Sequence, residues 1–373
     1  MGERTRTRAL LVSRALAARL RPAAPRGDPR RVLIAHNLLL GDTLMLTPLV
    51  AKLRERHPTA EVVLLAAPAV VPLYEKRPYG VRALAFSPSR SDTTRALLGE
   101  EPFDLAIVPG DNRYSWLAAA MGSRHIVVHA GPRPFTQEWF VDEKRAYPQV
   151  KGAWGDLVAD LIDGPAPRPF ATADWDRPTA KPFEMPRPPY AILHVGASTP
   201  LKHWPADRWL ALADALDARG LAVAWSGGRG EEAFVRACDP QGRYPSFAGQ
   251  LDLAQVWGLL RGAALLVAPD TGIAHLGRVT WTPTVAIFGP GDQALAGKGD
   301  FWRDTPWQSV GEDPFPCRDQ KLVFGRELDW VRRCARTVEQ CAEPRCMQAI
   351  PTDRVLGVCE SLLSGQPQGT FLR

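Results

Sequence analysis

Short apolar runs alternate with amphipathic stretches over most of this chain. In its first part, the runs that predict strands lie at residues 31–36, 61–66, 83–86, 103–108 and 124–128. Apolar side chains recur at helical spacing over residues 43–57 and 151–162, which predicts helices there. Apolar strands separated by helices are typical of a parallel sheet that is covered by helices on both faces.

The second part repeats this alternation after a proline-rich passage. Its predicted strands lie at residues 190–195, 221–225, 263–268 and 284–288, and its predicted helices at 207–218, 231–238, 253–261 and 351–364. The prolines between residues 164 and 189 are too many for a helix or sheet interior and predict a linker. The pattern therefore predicts an α/β chain with two doubly wound domains, which bind ligands in the cleft at the carboxyl ends of their strands.

These patterns divide the chain into five segments. They are a basic N-terminal arm (1–30), an N-terminal domain (31–165), a linker (166–189), a C-terminal domain with a cysteine-containing tail (190–350) and a last helix (351–373).

The composition is that of a globular protein with an unusual N-terminus. Hydrophobic residues make up 45% and charged residues 23% of the chain, and no apolar run reaches the roughly 18 residues that a membrane span needs. The net charge of +6 is unevenly placed, because residues 1–31 hold nine arginines against Glu3 and Asp28. We expect a solvated or frayed arm there. A short basic amphipathic helix over residues 8–20 that contacts acidic lipid is the alternative; nucleic-acid binding is not expected.

The polar residues of chemical interest follow predicted strands. Gly41-Asp42 follows the first strand. Asp42 is either an N-cap carboxylate worth about 1 kcal/mol or a general base that takes a proton from an attacking hydroxyl. A helix N-terminus would lower the pKa of Asp42 and weaken it as a base, so that proximity would have to supply much of its effect.

Two further loops follow strands of the second part. Ser198 and Thr199 offer hydroxyl and backbone donors, as a phosphate-binding loop needs, and Lys202 can neutralise a phosphate leaving group. A solvated loop lysine is the alternative for Lys202. Glu231, after a glycine-rich turn, can accept hydrogen bonds from a ribose diol. Its glycines lack the spacing of a dinucleotide site, so NAD is not inferred.

A third loop contains Asp270, Thr271 and Gly272, with His275 one helical turn further. Asp270 and Thr271 can cap a helix, Gly272 allows a close approach, and a helix N-terminus binds anions. The alternatives are an ordinary capped turn and a diphosphate site. No Asp-x-Asp pair follows a strand to hold Mg²⁺, so we expect no metal in the reaction.

Four cysteines lie close together in the sequence. They are Cys317, Cys334, Cys341 and Cys346. Their spacing is looser than a paired Cys-x2-Cys knuckle, so we expect reduced thiols and keep a zinc site as the alternative.

The segment 130–150 combines cations with aromatic rings. Its cations Arg133, Lys144 and Arg145 suit a phosphorylated, glycosylated lipid, and equally an ordinary exposed loop.

Several of these motifs together resemble glycosyltransferase family 9, the heptosyltransferase family of lipopolysaccharide core assembly. The motifs that carry the resemblance are Gly41-Asp42 with Thr47-Pro48, Lys202-His203-Trp204-Pro205, Gly227-Gly228 with Glu231, Asp270-Thr271-Gly272 with His275, Phe288-Gly289-Pro290, and Cys346-Met347 with Ile350. The resemblance covers residues 31 to about 360. The arm and the long segment from residue 302 to residue 346 depart from it.

The resemblance implies a GT-B fold, in which two Rossmann-like domains face each other, the first binding the acceptor and the second the nucleotide sugar. It implies an inverting, metal-independent transfer without a cofactor, with ADP-heptose as donor and a glycolipid as acceptor. Asp42 matches the family's base, and Lys202, Glu231, Asp270, Thr271, Gly272 and His275 match donor-site positions, with Ser198 and Thr199 at the diphosphate. The last helix would cross back onto the first domain.

The implied location is the cytoplasm, with a peripheral contact on the inner face of the bacterial inner membrane as an alternative. A nucleotide-sugar epimerase on the same fold and a non-catalytic binding protein remain as alternative functions.

Overall fold

The computed structural model describes residues 3–18 and 27–365 and contains two parallel sheets. The strands of the first sheet are β1 (Arg31–Ile34), β2 (Glu61–Ala66), β3 (Arg82–Ala85), β4 (Leu105–Val108), β5 (Ile126–His129) and β6 (Glu143–Arg145). The helices of this half are α1 (Glu3–Ala18), α2 (Leu40–Met45), α3 (Thr47–Arg56), α4 (Ser91–Leu97), α5 (Ser115–Ala120), α6 (Phe135–Glu138) and α7 (Trp154–Ala159).

The second half follows an irregular proline-rich connection. Its strands are β7 (Tyr190–His194), β8 (Ala222–Ser226), β9 (Leu265–Pro269), β10 (Thr284–Phe288) and β11 (Trp307–Gly311), followed by the two-stranded hairpin β12 (Leu322–Val323) and β13 (Arg326–Glu327). Its helices are α8 (Ala206–Asp217), α9 (Glu232–Cys238), α10 (Leu253–Arg261), α11 (Gly272–Val279), α12 (Arg345–Gln348) and α13 (Thr352–Ser364).

The strand order places a topological switch point in each sheet. The first sheet has the order β3-β2-β1-β4-β5-β6 and the second the order β11-β10-β9-β7-β8. Connections leave in opposite directions from β1 and β4, and from β7 and β9, so a crevice opens at the carboxyl ends of each pair. The predicted site residues follow β1, β7, β8 and β9, at these edges.

The two halves are in direct contact. The backbone N–H of Trp154 donates to the carbonyl of Leu295 at 2.7 Å, and the carboxylate of Asp156 accepts from the backbone N–H groups of Asp300 (2.7 Å) and Phe301 (3.3 Å). Buried apolar side chains of both halves also form one continuous cluster. The cleft is therefore bounded by a fixed interface.

The predicted helix over residues 43–57 is wrong in one respect that matters for the site. The chain forms two helices there, with Leu46 between them, because Pro48 lacks the N–H that would continue the hydrogen-bond ladder and instead lies in the first turn of α3. The first helix begins at Leu40, so that Asp42 lies inside its first turn and does not cap it.

The prediction of a frayed arm is wrong for residues 3–18. They form α1, whose Thr7, Leu11, Ala15 and Ala18 make a stripe at helical spacing, and the apolar members of that stripe pack into the core of the first half. The guanidinium of Arg14 donates to the carbonyl of Leu98. Residues 19–26 lie outside the described residues. None of the helices within residues 3–18 and 27–365 is long and apolar enough to cross a membrane.

The prediction that the last helix crosses back to the first domain is also wrong. Val355, Cys359 and Leu362 of α13 are buried in the core of the second half, and Glu360 pairs with Arg219 beside α8. The helix packs against α8, β10 and β11 of the second half, which its apolar stripe faces. Residues 366–373 lie outside the described part of the chain.

Candidate functional site

Asp42 lies where the two halves meet. The first turn of α2 packs against α11, so closely that a Cβ added to Gly41 would lie 2.8 Å from Cδ2 of His275. Burial raises the pKa of Asp42 to about 6; the Lys202 ammonium and Arg333 lower it, and the Asp270 carboxylate raises it. The expectation of a lowered pKa is therefore wrong, because removal from water outweighs the helix dipole.

A raised pKa changes what Asp42 can do. The N-cap residue of α2 is Leu39, which makes no side-chain capping bond, and Asp42 lies in the first turn of the helix. The structure therefore does not support the interpretation of Asp42 as an N-cap. A carboxylate with a pKa near 6 is a stronger base than an ordinary one and is still ionised at neutral pH. This arrangement suits proton abstraction in the cleft.

Lys202 and Asp270 form an ion pair across two loops of the second half. The ammonium of Lys202 donates to the Asp270 carbonyl at 2.7 Å and to its Oδ2 at 2.9 Å. Although burial opposes it, the charges of Lys202 and its neighbours lower the pKa of Asp270. The pair holds the lysine at the carboxyl edge of β9, as the diphosphate interpretation needs.

The start of α11 carries polar atoms that lack partners. The hydroxyl of Thr271 and Nδ1 of His275 are buried, and neither has a hydrogen-bond partner in the structure. Burial lowers the pKa of His275 to about 3, so this ring is neutral. A Cβ added to Gly272 would lie 2.8 Å from Leu40, so only glycine fits between the two helix starts. Such buried atoms cost free energy until a ligand pairs them.

The side chain of Glu231 lies in a depression formed by two glycine-containing turns. Its carboxylate accepts the backbone N–H of Gly228, and a Cβ added to Gly196 would lie 1.7 Å from its Oε2. Glycine at position 196 therefore leaves the space that the carboxylate fills. This geometry brings the loops after β7 and β8 together around one acidic group.

Ser198 and Thr199 begin the turn that carries Lys202. Thr199 caps a single 3₁₀ turn, with its Oγ1 accepting from the Leu201 backbone N–H at 3.4 Å, whereas Ser198 is exposed. The structure thus brings all the predicted donor-site residues to the carboxyl edge of the second sheet.

The predicted acceptor-side cations do not form one patch. Arg133 donates to the carbonyl of Phe324, Lys144 pairs with the carboxylate of Glu138, and Arg145 pairs with Asp163 at 2.8 Å. Lys144 and Arg145 are neighbours in strand β6, so their side chains leave opposite faces of the sheet. Their role in acceptor binding stays a prediction.

Two arginines near the site were missed from the sequence. Arg278 is buried in α11 over the ring of Trp307 at 4.0 Å, and its charge helps to lower the pKa of Asp270. Arg333 comes from the segment after β11 and acts on Asp42. A helical arginine and a loop arginine carry no sequence signal that would distinguish them from surface residues.

The four predicted cysteines converge on one cavity of about 190 Å³. All six cysteines are free thiols. Within residues 3–18 and 27–365, no three or more histidine, cysteine or acidic side chains are arranged to hold a metal ion. The zinc alternative stays an untested prediction.

Known proteins resemble this chain in sequence and in fold. Residues 93–308, more than half of the chain, match the model of glycosyltransferase family 9 (heptosyltransferase). Lipopolysaccharide heptosyltransferase 1 of Pseudomonas aeruginosa is 28% identical over 234 residues, which cover 59% of this chain and 62% of that protein. The chain therefore matches less than two thirds of that relative's length.

Solved structures are similar over nearly the whole chain. A glycosyl transferase family 9 protein of Veillonella parvula has a TM-score of 0.70 at 16% identity, covering 92% of this chain and 100% of that one. E. coli ADP-heptose lps heptosyltransferase II has a TM-score of 0.65 at 17% identity, covering 90% and 98%. These likenesses confirm the predicted GT-B fold.

Proposed function

The chain belongs to glycosyltransferase family 9, and we propose that it transfers heptose from ADP-heptose to a sugar of a lipopolysaccharide core or a similar glycan. The observation that carries this proposal is the meeting of Asp42, from the first half, with Lys202 and Asp270 of the second half in one cleft. A glycosyl transfer needs a base for the acceptor and a cation for the leaving group, and these residues supply both.

The transfer is an inverting displacement in this proposal. Asp42 takes the proton of an acceptor hydroxyl, and that oxygen forms a bond to the anomeric carbon. The bond from this carbon to the diphosphate oxygen breaks on the opposite face, and the nucleoside diphosphate leaves with the electron pair. One bond forms, one breaks and one proton moves to Asp42.

Four features of the second half favour a diphosphate leaving group. Lys202 lies against the start of α11, whose N-terminal N–H groups attract anions. Thr271 has a buried hydroxyl that needs a partner. Ser198 and Thr199, whose side chains carry hydroxyls, lie in the loop after β7 of the same sheet. The ion pair with Asp270 holds the Lys202 ammonium in place beside them. We propose that Lys202, the hydroxyls and the start of α11, without a metal ion, stabilise the negative charge that develops on the departing diphosphate.

The adenine nucleotide is proposed by analogy with a solved neighbour, an ADP-heptose lps heptosyltransferase of E. coli. In this proposal Glu231 holds the ribose diol. Thermal unfolding with ADP, UDP and GDP tests the base, because a ligand that binds only the folded chain raises the unfolding temperature. Protection by ADP alone is expected, and equal protection by all three would contradict the assignment.

We propose that the chain works in the cytoplasm, in peripheral contact with the inner face of the inner membrane. Helix α1 docks through one stripe and leaves Leu10, Val12 and Leu16 exposed by 38, 41 and 43%. Apolar side chains beside an arginine-rich sequence favour an anionic bilayer. Flotation with vesicles that contain phosphatidylglycerol tests this contact. The Leu16→Asp variant should float less than the wild type, and equal flotation would contradict the assigned surface.

A transfer assay tests the function as a whole. The protein is incubated with ADP-heptose and a heptose-free lipopolysaccharide core, and product is followed by mass spectrometry. Growth of the acceptor by one heptose with release of ADP is expected. Release of an epimerised or free sugar from the donor alone, without acceptor modification, would contradict the proposal.

A further inference from the structure

The segment between β11 and α12, residues 312–344, bridges the two halves over the cleft. At its base, the backbone N–H of Cys334 donates to the carbonyl of Pro290 at 2.9 Å, and that of Arg332 donates to Asp292 Oδ2 at 2.8 Å. Pro290 and Asp292 follow strand β10. The segment is therefore fixed at the carboxyl edge of the second sheet.

The hairpin of this segment reaches the first half. Arg326 donates to the carbonyls of His129 (2.7 Å) and Ala130 (2.9 Å) and to Oδ1 of Asn112 (2.8 Å). These acceptors lie at the end of β5 and after β4 and β5, at the carboxyl edge of the first sheet. Arg326 is 3% exposed, and the ring of Phe324 lies 5.1 Å from that of Trp154. The hairpin thus spans the crevice as a fixed roof.

Arg333 differs from Arg326, its neighbour in this roof. Its backbone pairs with that of Gln320 in an isolated antiparallel bridge, with hydrogen bonds of 2.8 and 2.9 Å, which fixes the position of its backbone. Its side chain is exposed and donates a long hydrogen bond, of 3.4 Å, to the carbonyl of Leu322 in the hairpin. Phe324 of that hairpin and Leu38, which precedes α2, both lie within 4 Å of a Cβ added to Gly110, so the hairpin is close to the loop that leads to Asp42. A guanidinium held on a fixed backbone but largely unpaired is ready to bind an anion.

The charges already in the cleft leave room for such a cation. Lys202 is paired with Asp270, and Arg278 is buried and bonded to the Ala296 carbonyl. Asp42 adds another carboxylate when it is ionised. A diphosphate or a phosphorylated sugar would therefore meet the carboxylates of Asp42 and Asp270, and a lysine that is already paired with Asp270. A further exposed cation would offset the repulsion between the phosphate and these carboxylates.

We propose that Arg333 binds a phosphate group of a substrate in the cleft that holds Asp42. The proposal rests on the proposed function and names a residue that lies outside the segment matched to the family, residues 93–308. The phosphate belongs either to the donor diphosphate or to a phosphorylated sugar of the acceptor. Arg333 is a binding residue in this account, and Arg326 is a structural anchor of the roof.

The test compares Arg333→Gln with a matched control, Arg332→Gln. Arg332 is the adjacent exposed arginine, its guanidinium bonds to the carbonyl of Asp329 at 2.6 Å, and neighbours in an extended chain leave opposite faces. Both variants lose one charge. Arg333→Lys keeps the charge but not the bidentate geometry, and it should recover part of the lost affinity.

Two measurements separate the sources of the phosphate. Calorimetry with ADP and with inorganic pyrophosphate reads the donor site, and the KM for a phosphorylated core acceptor reads the acceptor site. A loss of roughly 10- to 100-fold at one of these sites is expected for Arg333→Gln, because a hydrogen bond to a charged group is removed. Pyrophosphate reads the anion site even if the nucleoside differs from adenosine.

The pH profile gives a readout that a purely structural role would not move. The charge of Arg333 lowers the pKa of Asp42, against burial and Asp270, which raise it; Lys202 also lowers it, and His275 is neutral. Arg333→Gln should therefore move the acid limb of kcat/KM to higher pH, and Arg332→Gln should not.

The proposal is overturned if Arg333→Gln matches Arg332→Gln within twofold in pyrophosphate affinity, in ADP affinity and in the acceptor KM. It is also overturned if the acid limb of the two variants coincides. A wild-type protein that binds pyrophosphate through Arg333 but transfers no heptose would contradict the proposed function and support this inference.

Discussion

Replacing Asp42 with asparagine distinguishes a buried base from a helix cap. The pKa of Asp42 rises from an ordinary 3.8 to about 6, chiefly through burial. The folded chain therefore binds the proton more tightly than the unfolded chain, and its stability falls as the pH rises between these two values. The resulting cost is about 1.6 kcal/mol at pH 5 and up to about 3 kcal/mol at pH 8.

The Asp42→Asn variant carries no such cost. We expect it to be more stable than the wild type by up to about 3 kcal/mol at pH 8 and by about half as much at pH 5. Denaturant unfolding at both pH values measures the difference. Turnover should meanwhile fall by about 10²- to 10⁴-fold, the usual contribution of a general base, while ADP affinity stays nearly unchanged.

A matched control is Asp207→Asn. Asp207 is an exposed carboxylate in the first turn of α8, where it interacts favourably with the helix dipole. Its removal should lower stability by about 0.3 to 1 kcal/mol, the opposite sign. If Asp42→Asn also loses stability at pH 8, Asp42 is an ordinary helix-terminus carboxylate and the base assignment fails.

Three further substitutions probe the cleft and its roof. Lys202→Ala should weaken ADP binding by roughly 10- to 100-fold in calorimetry, since a charged phosphate contact is lost, and unchanged affinity would refute the phosphate role. Gly41→Ala places a Cβ 2.8 Å from His275 and should cut transfer at least about tenfold by separating α2 from α11; Gly357→Ala, with nothing within 4 Å, should leave the rate unchanged. Arg326→Met leaves buried acceptors unpaired and should cost about 3 kcal/mol or more in urea unfolding, whereas a cost below about 1 kcal/mol would show that the hairpin is not an anchor.

The sequence was informative where one physical signal dominated. The strands β2 and β10 and the helix α10 lie at their predicted residues, because continuous apolar runs and helical spacing leave little choice. The edge strands β6 and β11 were missed. The first of them is the charged triplet Glu143–Arg145, and a short edge strand that is hydrogen-bonded on one side needs no apolar run.

The misplaced features all depend on tertiary contacts. The raised pKa of Asp42 follows from α11 packing over it, and no local pattern contains that burial. The docking of α1 depends on the contact of its stripe with α5, and residues such as Ala15 carry a weak hydrophobic signal. The position of the hairpin over the cleft depends on contacts between residues that are far apart in sequence. Arg326, for example, donates to the carbonyl of Ala130, which is more than 190 residues away.

The positions of the predicted donor-site residues were foreseeable for a simple reason. Lys202, Glu231 and Asp270 follow strands of one parallel sheet, and the carboxyl ends of such strands share an edge. The structure adds two details, which are the ion pair between Lys202 and Asp270 and the depression around Glu231.

The transfer reaction with the Asp42→Asn control tests the central claim most directly. Wild-type protein and variant are incubated at pH 8 with ADP-heptose and a heptose-free core acceptor, and the glycosylated product and released ADP are quantified together. The account predicts one heptose added per ADP released by the wild type, and a rate at least about 100-fold lower for the variant, whose ADP affinity is retained. Equal rates for the two proteins, or no transfer by a wild type that binds ADP, would contradict it.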